Sequence, residues 1–405
     1  MGGIDTLEEM TEEHLEALSG GELLRAEAGY FTQIRNTKKS SARLKEALLE
    51  QELALPLCIL MAQQRHCIVF RESGTHLKLV STLYDQTQDT LVQLGTFLPA
   101  TASLEEYTRR VPPLPTLLGD FHIHADVAFF LARPALNYLQ NLQKYTEAVQ
   151  LVTAPLVEDL RPLYPPKVWD DLSPQFYMTF WCLSMYDLHV PSASYEKEIN
   201  KLKQLIMQVD ENKDLTQSKK KKEKERCHAL IEKLAEEERK QQEHCARVQA
   251  RLKAEKDSWF HSRSPKNETV TQFLQLCVFP RCVFTPLDAL FCSRFVHLLH
   301  SLKTPNFSTL ICYDRILCDI TYTMTLCTEN EASRYGRFLC GVLETVMRWH
   351  GDKANFEKEC SNFPGFMTKF RIANQPSDNS TDHVDFENYR HVCYKWHFKI
   401  TKVGI

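Results

Sequence analysis

The chain has 405 residues, of which 43% are hydrophobic and 25% are charged, and its formal net charge is -3. A chain of this length and apolar content can bury a core, and it predicts two or three units or one extended array. The near balance of charge excludes a protein that binds nucleic acid over its whole surface, so any such contact must be local. The 13 glycines are few, which argues against enzymes with glycine-rich phosphate loops and against turn-dense all-β folds.

The N-terminus and the cysteines indicate a reducing compartment. No run of about 18 apolar residues is present to span a membrane, and the acidic start of the chain, with Glu8, Glu9, Glu12 and Glu13, lacks the apolar segment of a signal peptide. The 14 cysteines are scattered through apolar stretches without a Cys-x-x-Cys pair. We therefore expect buried free thiols, no structural zinc site, and a cytosolic or nuclear protein.

Helical periodicity dominates the first part of the chain. Apolar residues recur at three- and four-residue steps from Leu77 to Phe97, which predicts a helix. After a proline-rich connector we expect a pair of helices, Phe121–Leu131 and Pro134–Val152, because Pro134 should separate them.

The densest aromatic cluster lies in the next predicted helix, which Ser173 and Pro174 open and which Pro191 is expected to end. Exposed rings of this kind could stack on bases, but the cluster lacks interleaved arginine or lysine, so packing between helices is the favoured interpretation. The predicted packing anchors are Trp169, Phe176, Phe180 and Trp181.

The segment after residue 210 is the most polar part of the chain. From Asp210 to Asp257, 26 of 48 residues are charged, 14 basic and 12 acidic, which is typical of a solvated helix held by local ion pairs. An apolar seam at helical spacing is interrupted at Glu238 and Gln241. We therefore expect a long exposed helical arm that docks only through its two ends.

Capping patterns mark further helix starts in the last third of the chain. Thr285-Pro286 and Thr304-Pro305 each combine a cap with a first-turn proline, and Thr328 with Glu331 forms a capping box. The tail from 386 to 400 alternates like a strand and also shows helical spacing, and the helical context favours a helix.

These patterns predict an all-α fold, specifically an irregular α-solenoid of stacked helical pairs with a long charged helical arm, since no strict sequence period is present. The predicted regions are an N-terminal helical region (1–160), an aromatic-rich middle region (161–209), the charged arm (210–262) and a C-terminal helical repeat region (263–405).

Histidines provide the most tempting catalytic pattern. His122 and His124 alternate, as metal ligands on a strand do, but the alternative interpretation is a helix start with Asp120 as its cap. His297 and His300 share a predicted helical face, and core or surface histidines are the ordinary explanation. Since Walker, Rossmann and nucleophile-elbow motifs are missing as well, the sequence predicts no enzyme, catalytic residue, cofactor or metal site.

One basic cluster stands out in the charged region. It could contact RNA phosphates or an import receptor, and the alternative is a solvated helix face. Its members are Lys219, Lys220, Lys221, Lys222, Lys224 and Arg226.

The string from Pro165 to Pro191, PPKVWDDLSPQFYMTFWCLSMYDLHVP, is long and not compositional, and it closely resembles the THO complex subunit 2 family. Shorter strings in the second half resemble the same family, namely Phe279–Cys282, Asp288–Cys292, Thr304–Thr309 and Tyr335–Leu339. The resemblance covers nearly the whole chain.

The resemblance implies an extended helical scaffold of the THO complex. That complex joins transcription, splicing and nuclear mRNA export within the larger TREX assembly and engages a DEAD-box RNA helicase. The implied partners are other THO complex subunits, this helicase and mRNA, the implied location is the nucleus, and no catalytic residue carries over. Family members are longer on both sides and end in a charged RNA-binding tail without a counterpart here, so we expect an internal piece or a short variant.

Three functional hypotheses follow. The first is a non-enzymatic helical scaffold of the mRNA export machinery. The second is a helical protein that binds RNA directly through the basic run 219–226, and salt-dependent RNA binding would favour it. The third is a metal hydrolase that uses His122 and His124, and stoichiometric metal with hydrolase activity would favour it.

Overall fold

The computed structural model of the chain describes residues 10–28, 43–70, 76–142, 154–212, 216–261, 266–367 and 383–402. These residues contain no β-strand, only the isolated bridges Leu172–Phe260 and Met367–His383. The all-α prediction is therefore confirmed. No single described helix is long and apolar enough to cross a membrane, although the bent pair Arg43–Glu50 with Ala54–Phe70 meets that criterion by length and composition alone.

The helices follow one another with short breaks. Residues 154–160 are also helical, and π-helical turns occupy Glu46–Glu50, Thr116–Asp120 and Leu274–Val278. The α-helices are α1 (Glu12–Leu18), α2 (Glu22–Glu27), α3 (Ala54–Phe70), α4 (Leu77–Thr101), α5 (Leu104–Arg110), α6 (Ala125–Leu142), α7 (Pro166–Asp171), α8 (Pro174–Cys182), α9 (Met185–Leu188), α10 (Ser192–Glu211), α11 (Gln217–Glu255), α12 (Lys266–Phe273), α13 (Phe279–Cys282), α14 (Pro286–Ser301), α15 (Thr309–Cys318), α16 (Ile320–Thr325), α17 (Glu329–Gly351), α18 (Lys353–Glu359) and α19 (Phe386–Thr401).

The chain forms two compact units. The first unit comprises Met1–Ala47 with Ser184–Leu252, and the second comprises Leu48–Leu183 with Lys253–Ile405. Each unit is therefore built from two separate stretches of chain. The division into four regions along the sequence stays a prediction.

The first unit is organised around an antiparallel pair of long helices, α10 and α11. Tyr195 near the start of α10 hydrogen-bonds Gln241 late in α11, and Asp210 at the end of α10 binds Lys224 early in α11. Helices α1 and α2 pack on α10. The buried cluster between these helices consists of Leu24, Tyr195 and Leu234, with Leu23, Val190, Ile199, Leu202 and Leu230 around it.

The long charged helix is confirmed, but its middle is not free of the core. Gln241 is fully buried in the seam that it was expected to interrupt, together with Leu234, Cys245 and Val248. Its side-chain amide donates to the carbonyl oxygens of Ser19 at 2.8 Å and of His189 at 3.0 Å. Those contacts compensate for burying the amide, so a polar residue in the seam does not force it into solvent.

The second unit is built from helices that pack in pairs. Helix α3 packs along α4, α5 along α6, α14 along α17, and α15 along α19. This pairing is what a repeat-like helical fold requires, because one amphipathic helix buries its apolar face only against another. The tail is the helix α19, as the helical context predicted.

The expectation of two helices separated at Pro134 is wrong. A single helix, α6, runs from Ala125 to Leu142 through Pro134. A proline inside a helix costs about 3 kcal/mol because it removes one backbone hydrogen bond and crowds the preceding turn. Phe129 and Leu131 on the same helix are fully buried. Burying two such side chains stabilises the fold by a similar free energy, which offsets the cost of the proline. The remainder of the second predicted helix, 143–152, lies outside the described residues.

The capping patterns located two of three further helix starts. Thr285 accepts a hydrogen bond from the Asp288 amide, and Thr328 forms a complete capping box with Glu331, as predicted. Thr304-Pro305 does not open a helix. Left-handed backbone at Lys303 (φ 55°) and at Asn306 (φ 60°) precedes α15, whose cap is Ser308.

Helix α8 ends earlier than Pro191. It begins as predicted, with the Ser173 hydroxyl accepting from the Phe176 amide at 3.1 Å, but it stops at Cys182. Ser184 then starts the short helix α9 with its own capping box. The break is fixed by Arg281, whose guanidinium donates to the carbonyl oxygens of Phe180 and Leu183. These carbonyls have no partner within the helix, so a buried cation satisfies the end of α8.

The predicted anchors lie in the core of the second unit. Phe176 and Phe180 are fully buried, Trp181 is 1% exposed and Trp169 is 8% exposed. The Trp181 ring stacks on Phe129 with a centroid distance of 5.5 Å. The Phe176 ring contacts four further rings, those of Trp259, Phe260, Phe273 and Phe295.

Replacing Trp181 by alanine should lower the free energy of unfolding by about 3–5 kcal/mol, because it removes a large buried ring from a packed core. Urea titration followed by circular dichroism measures this loss. Tyr322→Ala is the matched aromatic control, since Tyr322 is 73% exposed and its loss should matter little. An unfolding midpoint that Trp181→Ala leaves unchanged would contradict the burial of this ring.

Candidate interaction surfaces

The basic run lies at the start of α11, where part of it is neutralised within the first unit. The Lys224 ammonium lies 2.8 and 2.9 Å from the two carboxylate oxygens of Asp210. Lys220 donates to the Asp210 backbone carbonyl at 2.7 Å. Both lysines thereby tie the N-terminal turns of α11 to the end of α10.

The other four basic side chains of the run are exposed. Arg226 pairs with Glu223 at 3.1 Å, and Lys221 lies 3.9 Å from Glu225. Within the described residues, Lys219 and Lys222 have no ion pair. These two lysines are thus the part of the run that is most available to a phosphate, and contact with RNA or an import receptor stays a prediction.

A polar cluster, formed by the buried Tyr195 and Gln241 and the half-buried Glu237, fixes how α11 packs in the first unit. The Glu237 carboxylate accepts hydrogen bonds from the amides of Leu23 at 2.8 Å and Leu24 at 2.9 Å, which caps the short helix α2. The Tyr195 hydroxyl accepts from the Gly21 amide at 2.9 Å and lies 3.2 Å from both Glu237 and Gln241. Burial raises the pKa of Tyr195, so it remains a neutral hydroxyl in this cluster.

The structure does not place His122 and His124 on a strand. His122 has left-handed backbone (φ 50°), and both residues precede α6, which begins at Ala125. The His124 ring packs on His66 with a centroid distance of 4.1 Å, and burial lowers its pKa. Asp120 ends a π-helical turn and does not cap α6. Among the described residues, no three His, Cys, Asp or Glu side chains converge as metal ligands would.

All 14 cysteines lie in the described residues as free thiols, and ten of them are buried. Burial raises the pKa of Cys58 and of Cys245 to about 12, so these thiols stay protonated and unreactive near neutral pH. This agrees with the prediction of buried free thiols.

His300 is 3% exposed and makes two hydrogen bonds in the core of the second unit. Its Nε2 lies 2.8 Å from the Glu359 carbonyl and must donate to it, while Nδ1 lies 2.9 Å from the Thr309 hydroxyl. Burial lowers the pKa of His300 to about 4, and the neighbouring His297 lowers it as well. His300 is therefore a neutral core histidine, and His297 does not join it in a ligand set.

The outer face of α19 escaped the sequence analysis. Tyr394 and Phe398 are each more than half exposed there, with Lys395 and Lys399 beside them. Exposed aromatic rings among basic residues are typical of contacts with single-stranded nucleic acid. The signal was in the sequence, because helical spacing in the tail places Tyr394 and Phe398 on the side opposite Tyr389 and Trp396.

The family model described as "Transcription factor/nuclear export subunit protein 2" (Tho2) matches residues 169–404 of the chain. The matched segment begins within α7 and extends through α19, and it contains the four predicted anchors, Arg281, the basic run and the outer face of α19.

Proteins named THO complex subunit 2 are similar to the whole chain. The human protein is 56% identical over 424 residues, which cover all of this chain and 27% of that protein. The Arabidopsis thaliana protein is 34% identical over 446 residues, covering all of this chain and 24% of that protein. The Saccharomyces cerevisiae protein is 24% identical over 357 residues and matches 87% of this chain. The chain thus spans about a quarter of the length of the curated relatives it matches.

The buried His300 should make the protein less stable in mild acid. Above the unfolded pKa of about 6.5, His300 is neutral in both the folded and the unfolded chain and costs no stability. As the pH falls from there toward the folded pKa of about 4, stability is lost because the unfolded chain takes up the proton more readily than the folded one. The full loss should be about 3 kcal/mol, because each pKa unit corresponds to about 1.4 kcal/mol. Urea titrations at several pH values between 7 and 4 measure it.

The variant His300→Gln, which does not titrate, should show a shallower decline over this range than the wild type. His391→Gln, at an exposed position, is the control for loss of an imidazole. Parallel stability curves for the wild type and His300→Gln would show that His300 is not buried as a neutral side chain.

Proposed function

This chain belongs to the Tho2 family of transcription and nuclear-export subunits, and on that premise we propose that it acts as a non-enzymatic helical scaffold subunit of the THO complex. In this role it couples transcription and mRNA processing, including splicing, to nuclear mRNA export. Its proposed partners are other THO complex subunits, the DEAD-box RNA helicase of TREX, and mRNA. Its proposed location is the nucleus.

The observation that carries this proposal is the family match over 169–404, together with 56% identity along the whole chain to proteins named THO complex subunit 2. At such identity we expect the helices and their packing to be shared, and with them the outline of the surfaces available to partner subunits. The chain spans about a quarter of the length of those proteins, and the proposal concerns that quarter.

The surface of the second unit also fits a scaffold. Helix α3 has one charged residue, Arg65, and that residue is buried. Its exposed side carries Leu57 (39% exposed) and Leu60 (60%), and α4 adds Leu79 (67%) and Leu83 (45%). A face with several exposed leucines and no exposed charge from α3 is typical of a surface that another protein covers.

The alternative is direct RNA binding through the basic run 219–226. The exposure of Lys219 and Lys222 without ion pairs among the described residues favours it. Such binding would be electrostatic and strongly salt-dependent, because it would release counterions from the phosphates.

Affinity purification of the tagged chain from nuclei, followed by mass spectrometry, tests both possibilities. A scaffold subunit should recover other THO complex subunits in comparable amounts, and ribonuclease treatment of the extract should not remove them. The double variant Lys219→Ala/Lys222→Ala should recover the same subunits. Recovery that disappears with ribonuclease or with this variant would contradict the scaffold proposal and favour the RNA-binding alternative.

A further inference from the structure

Helix α19 presents two aromatic rings to solvent, one turn apart. Tyr394 is 58% exposed and Phe398 is 59% exposed, and residues four apart on a helix are separated by about 6 Å along its axis. Large exposed rings at this spacing on one face are unusual for a helix whose other side is well packed. They require an explanation other than the core.

The opposite side of α19 fixes the direction of this face. The Tyr389 hydroxyl donates to the Val346 carbonyl at 3.0 Å, and the Trp396 ring nitrogen donates to Asp314 at 2.9 Å. The Tyr389 ring also stacks on Phe356 with a centroid distance of 5.0 Å. Because these three contacts prevent rotation of the helix, Tyr394 and Phe398 point outward as a property of the fold.

Basic side chains surround the two rings. From Phe386 to Lys402 there are four basic residues and one acidic residue, Glu387, in a chain whose net charge is negative. The Lys402 ammonium lies 4.7 Å from the centre of the Phe398 ring, and Arg390 donates to the Tyr394 hydroxyl at 3.3 Å. The face thus combines ring surfaces with positive charge.

Two acidic groups near this face have partners of their own. Glu387 lies 3.8 Å from the Arg390 guanidinium, and Asp314 accepts from the Trp396 ring. Among the described residues, Lys395 and Lys399 make no ion pair. Two ammonium groups beside the rings are therefore available to an anion.

We propose that the outer face of α19 binds single-stranded nucleic acid. Bases stack on Tyr394 and Phe398, and Lys395, Lys399 and Lys402 bind the phosphates on either side of the stacked bases. Stacking on aromatic rings together with a basic track is the usual way in which single strands are bound without sequence preference. The site is independent of the scaffold role, because it requires only the folded chain.

The chemistry of this face favours nucleic acid over an acidic protein. An acidic partner needs the charges but gains little from two solvent-facing rings, whereas a base gains stacking energy from each of them. The basic run at 219–226 offers positive charge without rings, since α11 contains no aromatic residue from Gln217 to Glu255. The two surfaces therefore predict different behaviour toward RNA.

Fluorescence anisotropy of a labelled, unstructured RNA of alternating cytidine and adenosine tests the proposal on the full chain. Tyr394→Ala and Phe398→Ala should each weaken binding by roughly 5- to 100-fold, without changing the slope of log K against log salt. The pair Lys395→Ala/Lys399→Ala should weaken binding and reduce that slope by about 1.4, since each lost phosphate contact on a single strand removes about 0.7.

Two matched controls locate the effect. Phe70→Ala removes a ring that is 72% exposed, on the otherwise uncharged face of α3, and it should leave RNA affinity unchanged. Lys219→Ala/Lys222→Ala removes the same charge as the α19 lysine pair and should change binding much less. All substituted side chains are exposed, so the thermal midpoint should not change in any variant.

The proposal is wrong if the chain does not bind the RNA, or if the ring variants bind as the wild type does. It is also wrong if Lys219→Ala/Lys222→Ala, and not Lys395→Ala/Lys399→Ala, reduces the slope of log K against log salt. Ring variants without effect, combined with displacement of RNA by polyglutamate that depends on Lys395 and Lys399, would identify a surface for an acidic protein instead. A single-stranded DNA of the same sequence should bind with similar affinity, and a preference for RNA of more than about tenfold would contradict a contact made only of stacking and phosphates.

Discussion

The Arg281 guanidinium joins three parts of the second unit through one planar group. It donates to the carbonyls of Phe180 and Leu183 at the end of α8. It also donates to the Asp288 carboxylate in the first turn of α14 at 2.8 Å, and it lies 3.5 Å from the centre of the Phe291 ring. Burying a guanidinium costs several kcal/mol, and hydrogen bonds to a charged group contribute about 1.5–3 kcal/mol each. Since all three acceptors are present, the contacts offset the cost and fix where α8 ends.

The same principle organises the first unit, where the side chains that satisfy helix ends are a half-buried carboxylate and a buried neutral amide. Glu237 caps α2, and Gln241 satisfies the carbonyls that follow α1 and α9. In both units a single side chain from one helix satisfies backbone groups at the end of another, groups that no helix can satisfy by itself. Helices that are polar over most of their surface, such as α11, can then pack closely without a continuous apolar seam.

A structural feature could be predicted from the sequence when the residues that determine it lie close together in the chain. The caps at Ser173, Thr285 and Thr328 and the helical tail follow from residues within four positions, and the structure has them. The end of α8 depends on Arg281, about 100 residues away, and the burial of Gln241 depends on Ser19, more than 200 residues away. The basic run was visible as a pattern, but only the structure shows that Asp210 engages two of its lysines. The exposed rings of α19 required the helix to be oriented by its buried side.

The free energy of unfolding of Arg281→Met tests most directly whether this buried cation holds the second unit together. Methionine keeps much of the side-chain volume but leaves two carbonyls without their donor and Asp288 with only Thr285 and Arg133 as partners, so the loss should be about 3–5 kcal/mol. Burial raises the pKa of Asp288, but Arg281 and Arg133 outweigh that effect and hold the pKa below its usual value, so the variant should lose least stability at low pH. Lys353→Met, at a surface ion pair, should change stability by no more than about 0.5 kcal/mol. An Arg281→Met protein as stable as the Lys353→Met protein at neutral pH would contradict the account.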